Sequence, residues 1–294
     1  MTINLHHLRV FQCVAEQGGF TRAAAVLRLS QPAVSKSVRE LERELGTTLL
    51  DRTTAPPRLT EAGSALFARA RELFAVERAA EEEQRALRGL AGGVLRIAAS
   101  TTVVTYRLPP YLARFHAAHP LITLRVASAN TRAVARALLE RRVEVALVEG
   151  PVDDPRLEVR PWLEDELVVI GHPAHRFAAR RRLRWSELRD ESFIVREGGS
   201  GTRRVADEAL AAAGITLRIG LQLASTEAIK QTVAAGFGLA IVSRAAVADQ
   251  VALGRLAILP AHGISLTRQL SELRVGGREP SAAGAAFRLA LAAS

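Results

Sequence analysis

Apolar positions recur at two different periods along this chain of 294 residues. Up to about residue 90 they fall three or four apart, and from residue 93 onward they cluster in short β-rich runs that alternate with helical stretches. Leu8, Phe11 and Ala15 mark a first helix. GGF interrupts it, and Thr21 is placed to cap a second short helix, RAAAVL. LRLS supplies a turn, after which Ser30 or Gln31 caps a third helix that tolerates Pro32 in its first turn and stops at Gly46. On this helix Val34, Val38, Leu41 and Leu45 stand at i, i+4, i+7 and i+11, a narrow apolar stripe. LLDRTTAPPRLT then leaves the helical period for an extended, proline-rich excursion that carries Arg52 and Arg58 and returns at Thr60, a cap for the next helix. From Glu61 to Leu87 no proline or glycine follows Gly63. Leu66, Ala70, Leu73, Val76, Ala80 and Leu87 keep an approximate heptad there, a pattern that predicts helix pairing, with packing on the chain's own domains as the alternative.

Glycines in AGG, residues 91–93, mark the boundary to the second pattern. There VLRIAAS (94–100), ITLRVAS (122–128), VEVALVEG (143–150), ELVVIG (166–171), SFIVRE (192–197), IGLQLAS (219–225) and LAIVS (239–243) read as strands separated by helices. Such alternation predicts parallel βα units, in which ligands sit beyond the carboxyl ends of the strands.

The polar positions give the first helical module its chemistry. Opposite the apolar stripe of the third helix lie Pro32, Lys36, Arg39 and Arg43, with Gln31 and Ser35 on the amino-terminal shoulder. A helix buried on one side that presents Gln, Ser, Lys and Arg after a short helix and a tight turn suits a major-groove reader. Gln pairs bidentately with adenine and Arg with guanine, while Ser and the helix amino end hold phosphate. An ordinary solvated helix face has the same pattern. The excursion carrying Arg52 and Arg58 favours DNA, because it suits a wing laid along the backbone.

The run from Phe11 to Gly63, FQCVAEQGGFTRAAAVLRLSQPAVSKSVRELERELGTTLLDRTTAPPRLTEAG, resembles the amino-terminal winged helix-turn-helix of the LysR-type transcriptional regulators without a gap. The resemblance places Gln31, Pro32, Ser35, Lys36 and Arg39 on the recognition helix and Arg52 and Arg58 on the wing; with Thr21 and Ser30 they form the expected DNA-binding set. Leu50 stands where the family usually has Phe, so repacking is expected there. The resemblance further implies a paired linker helix, a homodimer or homotetramer, double-stranded DNA with a dyad-symmetric operator, and RNA polymerase as a further partner.

In the second half, small polar residues follow several strands: Ser100, Thr101 and Thr102, then Asn130 and Thr131, then Ser225 and Thr226. Each can cap a helix. REGGSGTR, residues 196–203, leads flexible glycines through Ser200 and Thr202 into a helix. It reads equally as an anion seat at a helix amino end and as a capped connector. It lacks the lysine of a P-loop, and Thr202 stands where an esterase elbow requires glycine. HPLITLRVASANT, VEVALVEGPV and REGGSGTR resemble the periplasmic-binding-protein-like effector domain of the same family, in the branch holding sulfur-assimilation, sulfite-response and carbon-fixation regulators. That resemblance implies two α/β lobes joined by two crossing strands. It also implies a small anionic or sulfur-related effector contacting Ser100, Thr101, Thr102, Asn130, Thr131, Glu149, Ser200, Gly201, Thr202 and Thr226. Glu149 would oppose an anion unless hydrogen-bonded or neutralised.

The expected fold is therefore α/β overall: an all-α winged helix-turn-helix over 1–59, a linker and dimerisation helix over 60–92, and a two-lobed, type 2 periplasmic-binding-protein-like effector domain over 93–294. Its lobes are expected at about 93–163 with 267–294, and at about 164–266. No cofactor, metal site or catalytic residue is expected. The paired histidines His116/His119 and His172/His175 flank proline turns without completing a ligand set. The basic run Arg176–Arg184 reads as a solvated loop. Two other functions compete with a regulator: a solute-binding module with a helical oligomerisation segment, and an enzyme using the α/β cleft. The wing argues against the first, and no nucleophile, base and oxyanion set supports the second.

Composition adds a charge of +10, from 40 Lys and Arg against 30 Asp and Glu. Residues 1–92 hold 13 basic and 11 acidic residues, and residues 93–294 hold 27 and 19. The excess sits mainly outside the helical module, so the placement of a few side chains, and not the bulk charge, carries the DNA reading. One cysteine, Cys13, excludes an internal disulfide. MTINLHHLRVF has no basic stretch leading into an apolar run, and the longest charge-free stretch, Gln231–Ser243, has 13 residues where a span needs about 20. A cytoplasmic location is expected.

Overall fold

Capping residues set the helices of the amino-terminal part. In the computed structural model, which describes residues 3–54, 56–86 and 92–292, α1 (Leu5–Gln17) starts at Asn4, whose side chain accepts the N–H groups of His6 and His7. It ends at Gly18, whose φ of +63° suits glycine. α2 (Phe20–Leu27) corrects the sequence expectation: its N-cap is Gly19, with no side-chain hydrogen bond, and Thr21 lies exposed inside the first turn. Phe20 packs on the core, which draws the helix start back ahead of the threonine. α3 (Gln31–Leu45) behaves as its sequence predicts. Ser30 accepts the Ala33 N–H, Pro32 sits in the first turn, and Gly46 closes the helix in the left-handed region.

β1 (Leu50–Asp51) and β2 (Arg58–Leu59) form a short antiparallel wing, Leu50 opposite Leu59 and Asp51 opposite Arg58. Thr60 then caps α4 (Glu61–Ala86) by accepting the Gly63 N–H at 2.9 Å. Phe11, Val34, Val38, Leu41, Leu49, Leu50, Ala70 and Phe74 share one core. Leu50 is thus fully packed where a larger aromatic residue was the family norm. The stripe of α4 divides: Leu66 and Ala70 pack on this core, whereas Leu73 and Val76 are exposed. Leu87 lies outside the described residues. The first turns of the predicted seam therefore cover the module's own interior.

The chain forms two compact units, residues 1–81 and 82–294. The second is built on β3 (Gly93–Ser100), α5 (Pro109–Ala118), β4 (Ile122–Ala129), α6 (Thr131–Leu139), β5 (Val145–Glu149) and β6 (Leu157–Gly171). These are followed by β7 (Leu183–Arg184), β8 (Ser192–Arg196), α7 (Gly201–Ala212), β9 (Arg218–Leu223), α8 (Thr226–Ala234) and β10 (Leu239–Ser243). α9 (Ala248–Ala252), β11 (Ala257–Leu259), β12 (Ala261–His262), β13 (Thr267–Val275) and α10 (Ala282–Ala292) complete it. The main sheet runs β4-β3-β5-β13-β6-β10-β8-β9, with β11 beside β6, and β7 pairs with β12 separately.

Parallel pairing holds within β4-β3-β5 and within β9-β8-β10, as the alternation predicts. β6 and β13 depart from it. β13 lies antiparallel to β6 along Leu157–Glu166, and the rest of β6 pairs antiparallel with β10 and β11. These two long strands join the halves of the sheet. β13 is absent from the predicted strands because its sequence, TRQLSELRV, reads as polar, yet Arg268, Ser271 and Glu272 are buried in it. Each half is covered on both faces. Leu95, Ile97, Val145 and Leu147 face one apolar cluster, and their neighbours Ala98, Ala146 and Val148 face the other. The same period-two split puts Leu167 and Val169 on one side of the second half and Val168 and Ile170 on the other.

Candidate functional site

On α3, burial of Val34, Val38 and Leu41 turns Gln31, Pro32, Lys36, Arg39 and Arg43 to solvent, with Ser35 half-buried beside them. The Arg39 guanidinium donates to the Ser35 hydroxyl at 3.2 Å, which holds it along the exposed face. Lys36 has no ion-pair partner among the described residues. On the wing Arg58 is exposed, and Asp51 opposite it is held below the usual carboxylate range by hydrogen bonds from the Thr53 hydroxyl and N–H. Arg52 is more constrained than the sequence suggests: it pairs with Glu42 at 2.8 Å and lies over the Phe20 ring. Glu42 was not a predicted site residue. Its other carboxylate oxygen accepts the N–H groups of Leu49 and Leu50 at 2.9 and 3.2 Å, so one side chain ties the third helix to the start of the wing. Thr21 and Ser30 bracket this surface, the first exposed on α2 and the second as the α3 cap. The module thus offers exposed donors on one helix and one hairpin, which is the distribution that base-edge and phosphate contacts require.

In the second unit, parallel pairing brings the carboxyl ends of β3, β4 and β5 to one edge, which places Ser100, Thr101, Thr102, Asn130, Thr131 and Glu149 together. The ends of β8, β9 and β10 supply Arg196, Thr226 and Ser243 from the other half. The two edges meet. Asn130 caps α6 and its amide donates to Glu197 at 3.3 Å, while the Arg132 N–H donates to the Gly199 carbonyl. Thr131 donates to the Glu149 carbonyl, and Thr202 donates to the Glu149 carboxylate at 2.9 Å. Gly201 is required at this junction: a Cβ there would lie 1.7 Å from the Glu149 carbonyl oxygen. Ser200 caps α7, so REGGSGTR is at once a capped connector and a contact between the halves.

Charged side chains that the strand pattern did not reveal fill the junction. Arg268, fully buried, approaches Asp165 at 2.7 Å and Glu149 at 3.2 Å and donates to Thr202. Glu149 is therefore both hydrogen-bonded and neutralised, which removes the objection to an anion nearby. Asp165 also accepts from Arg107 and Ser243. Burial pushes its carboxyl up, but the Arg268 charge and these hydrogen bonds hold it below the usual range. Arg196 grips Glu197 through two donors and reaches Thr226 at 3.0 Å. Ser100 is fully buried with its hydroxyl unpaired among the described residues. All ten predicted effector residues thus lie at strand ends or helix starts of this junction. The cations missed are Arg107, Arg196, Lys230 and Arg268; basic residues are so common in this sequence that no local signal distinguished them.

Among the described residues no cluster of His, Cys, Asp and Glu could hold a metal ion, and no helix is long and apolar enough to cross a membrane. In the basic run, Arg176 pairs with Glu191 and Arg180 with Glu187, while Arg181 and Arg182 are exposed.

The sequence comparisons agree with both halves of the chain. Residues 5–64 match the bacterial regulatory helix-turn-helix protein, lysR family, and residues 88–294 match the LysR substrate binding domain. A RuBisCO operon transcriptional regulator of Allochromatium vinosum is 37% identical over 288 residues, covering 98% of this chain and 95% of that protein. The HTH-type transcriptional regulator CysL of Bacillus subtilis is 33% identical over 264 residues, covering 90% and 88%. Among solved structures, the CcmR regulatory domain of Synechocystis PCC6803 in complex with 2-PG is similar with a TM-score of 0.64 and 29% identity, covering 68% of this chain and 95% of that one. A winged helix-turn-helix followed by a two-part α/β unit, each matched by its own family model, makes this chain a member of the LysR family of DNA-binding transcription regulators, on the side of the family that includes carbon-fixation regulators.

Proposed function

We propose that this regulator binds a small oxyanion between the two halves of its effector unit, and that binding changes how paired DNA-binding modules are spaced on a dyad-symmetric operator. One observation carries the reading: both half-sheets deliver hydroxyl- and amide-bearing helix starts to one junction, beside buried Arg196, Lys230 and Arg268. The unpaired Ser100 hydroxyl and the complex of the related CcmR domain with 2-PG support a ligand of that class. Regulation requires that the ligand bind the two spacings with different affinity.

In this reading residues 1–59 read DNA and 60–92 pair two chains through the exposed part of α4. Residues 93–294 bind the effector between a first lobe of about 93–163 with 267–294 and a second of about 164–266. Gln31, Lys36 and Arg39 read bases, while Thr21, Ser30, Ser35, Arg52 and Arg58 fix register on the phosphate backbone and Pro32 starts the recognition helix. The assembly is a homodimer or homotetramer acting in the cytoplasm, with RNA polymerase as its downstream partner. The cleft binds its ligand without turnover. A footprint on DNA flanking the protein's own gene tests the reading, with and without 2-phosphoglycolate, sulfate and sulfite. A protected inverted repeat whose pattern shifts with one of them is expected; protection independent of sequence at physiological salt overturns it.

A further inference from the structure

A five-residue π turn, Val103–Arg107, follows β3 and sends two consecutive side chains across the junction between the half-sheets. Arg107 reaches Asp165 at 2.9 Å. Tyr106 reaches α8, where its hydroxyl accepts from the Lys230 ammonium at 3.0 Å and donates to Glu227 Oε2 at 3.4 Å. Lys230 is buried and uses its remaining donors on the Ala246 carbonyl at 2.8 Å and on the same Glu227 Oε2 at 2.7 Å. One carboxylate oxygen therefore receives an ammonium N–H and a phenolic O–H at once. This is the donor pair that an oxygen of a phosphate, sulfate or carboxylate ligand would use.

Four of the cations at the junction, Arg107, Arg196, Lys230 and Arg268, are answered by four carboxylates, Glu149, Asp165, Glu197 and Glu227. An added anion that engages one of these four cations has to release its carboxylate, and the exposures decide which leaves most readily. The side chains of Glu149 and Asp165 are 2% and 0% exposed, and Glu197, at 20%, is gripped by two Arg196 donors. Glu227 is 55% exposed. Its second oxygen, Oε1, already accepts from Gln231 on the solvent side of α8, so the carboxylate can leave Lys230 without losing every partner. Releasing a half-exposed carboxylate to water costs far less than uncovering a buried one.

We propose that Tyr106 and Lys230 form an oxyanion subsite that Glu227 occupies as an internal surrogate, and that the effector engages it by displacing the Glu227 carboxylate. This rests on the reading above that the junction takes an anion. The displacement makes Glu227 a built-in competitor that sets the concentration at which the regulator responds. The ligand then takes over the bridge between the π turn of one half and α8 of the other that Glu227 makes in its absence.

The test is calorimetric titration of the full-length chain with 2-phosphoglycolate and, separately, inorganic phosphate, comparing the native protein with Glu227→Gln and Tyr106→Phe. Far-UV circular dichroism monitors folding. Glu227→Gln removes the competing charge and keeps the shape, so at least one ligand should bind about tenfold more tightly; Tyr106→Phe should weaken binding several-fold. Unchanged or weaker binding by Glu227→Gln, with native binding intact, overturns the surrogate role and leaves the cleft reading standing. If neither anion binds any of the three forms, the anion reading of the cleft falls, and the subsite with it.

Discussion

Replacing Arg268 by Met tests the electrostatic account of the effector unit. The guanidinium lies 2.7 Å from Asp165 and 3.2 Å from Glu149 and donates to Thr202, with all three residues buried. Methionine preserves most of the apolar volume and strands two carboxylates. Removing one partner of a buried ion pair costs about 3–5 kcal/mol, and because Arg107 and Ser243 still hold Asp165 the lower end applies, about 3 kcal/mol. For a unit of this size, 1 kcal/mol corresponds to roughly 2–4 °C, so thermal unfolding followed by circular dichroism should shift down by about 6–12 °C at neutral pH. The pH dependence distinguishes this from a packing defect. In the native protein Asp165 is held below its ordinary range, so its stabilisation is full at neutral pH and is lost as pH falls through the depressed value. In the variant the Arg268 charge that offsets burial is gone, so the Asp165 carboxyl titrates higher than in the native protein, protonation relieves the stranded charge, and the deficit narrows on acidification. A second change, Asp165→Asn, should recover part of the loss. A deficit below about 1 kcal/mol, or one that widens as pH falls, would refute the reasoning.

Three further outcomes are expected. Glu42→Ala frees the Leu49 and Leu50 N–H groups and the Arg52 guanidinium, which should cost roughly 1–3 kcal/mol in urea unfolding and weaken operator and random DNA equally in a gel shift. Arg39→Ala should lose about 1–3 kcal/mol of discrimination between operator and random sequence, whereas Arg58→Ala should weaken both and lower the slope of log affinity against log salt by about one; identical behaviour of the two would contradict the helix and wing assignments. Gly201→Ala pushes a methyl group against the Glu149 carbonyl, so a melting temperature equal to the native one would show that the junction is looser than its 1.7 Å clearance implies, the expected cost being about 1–3 kcal/mol or more.

The two units differ in how far local sequence specifies them. In the amino-terminal module each helix carries its own start and stop: Ser30, Pro32 and Gly46 bound α3, and a stripe of Val34, Val38 and Leu41 fixes its buried face, so the exposed donors follow from the sequence. The misplaced start of α2 shows the limit, because Phe20 packing on the core outweighed the cap preference of Thr21. Strand ends and helix starts of the second unit were equally readable, and the ten effector positions that the family resemblance implied lie on them. What tertiary structure alone decided is the chemistry between those positions. β13 looked polar because its charged residues are buried, and Arg268 becomes meaningful only once β13 pairs with β5 and β6 and brings it to Glu149 and Asp165, more than a hundred residues away from each. Tyr106 and Lys230, 124 residues apart, meet for the same reason. Periodicity and capping are short-range signals set by backbone geometry; the pairing of buried charges depends on which distant strand ends the sheet brings together, and no local pattern records it.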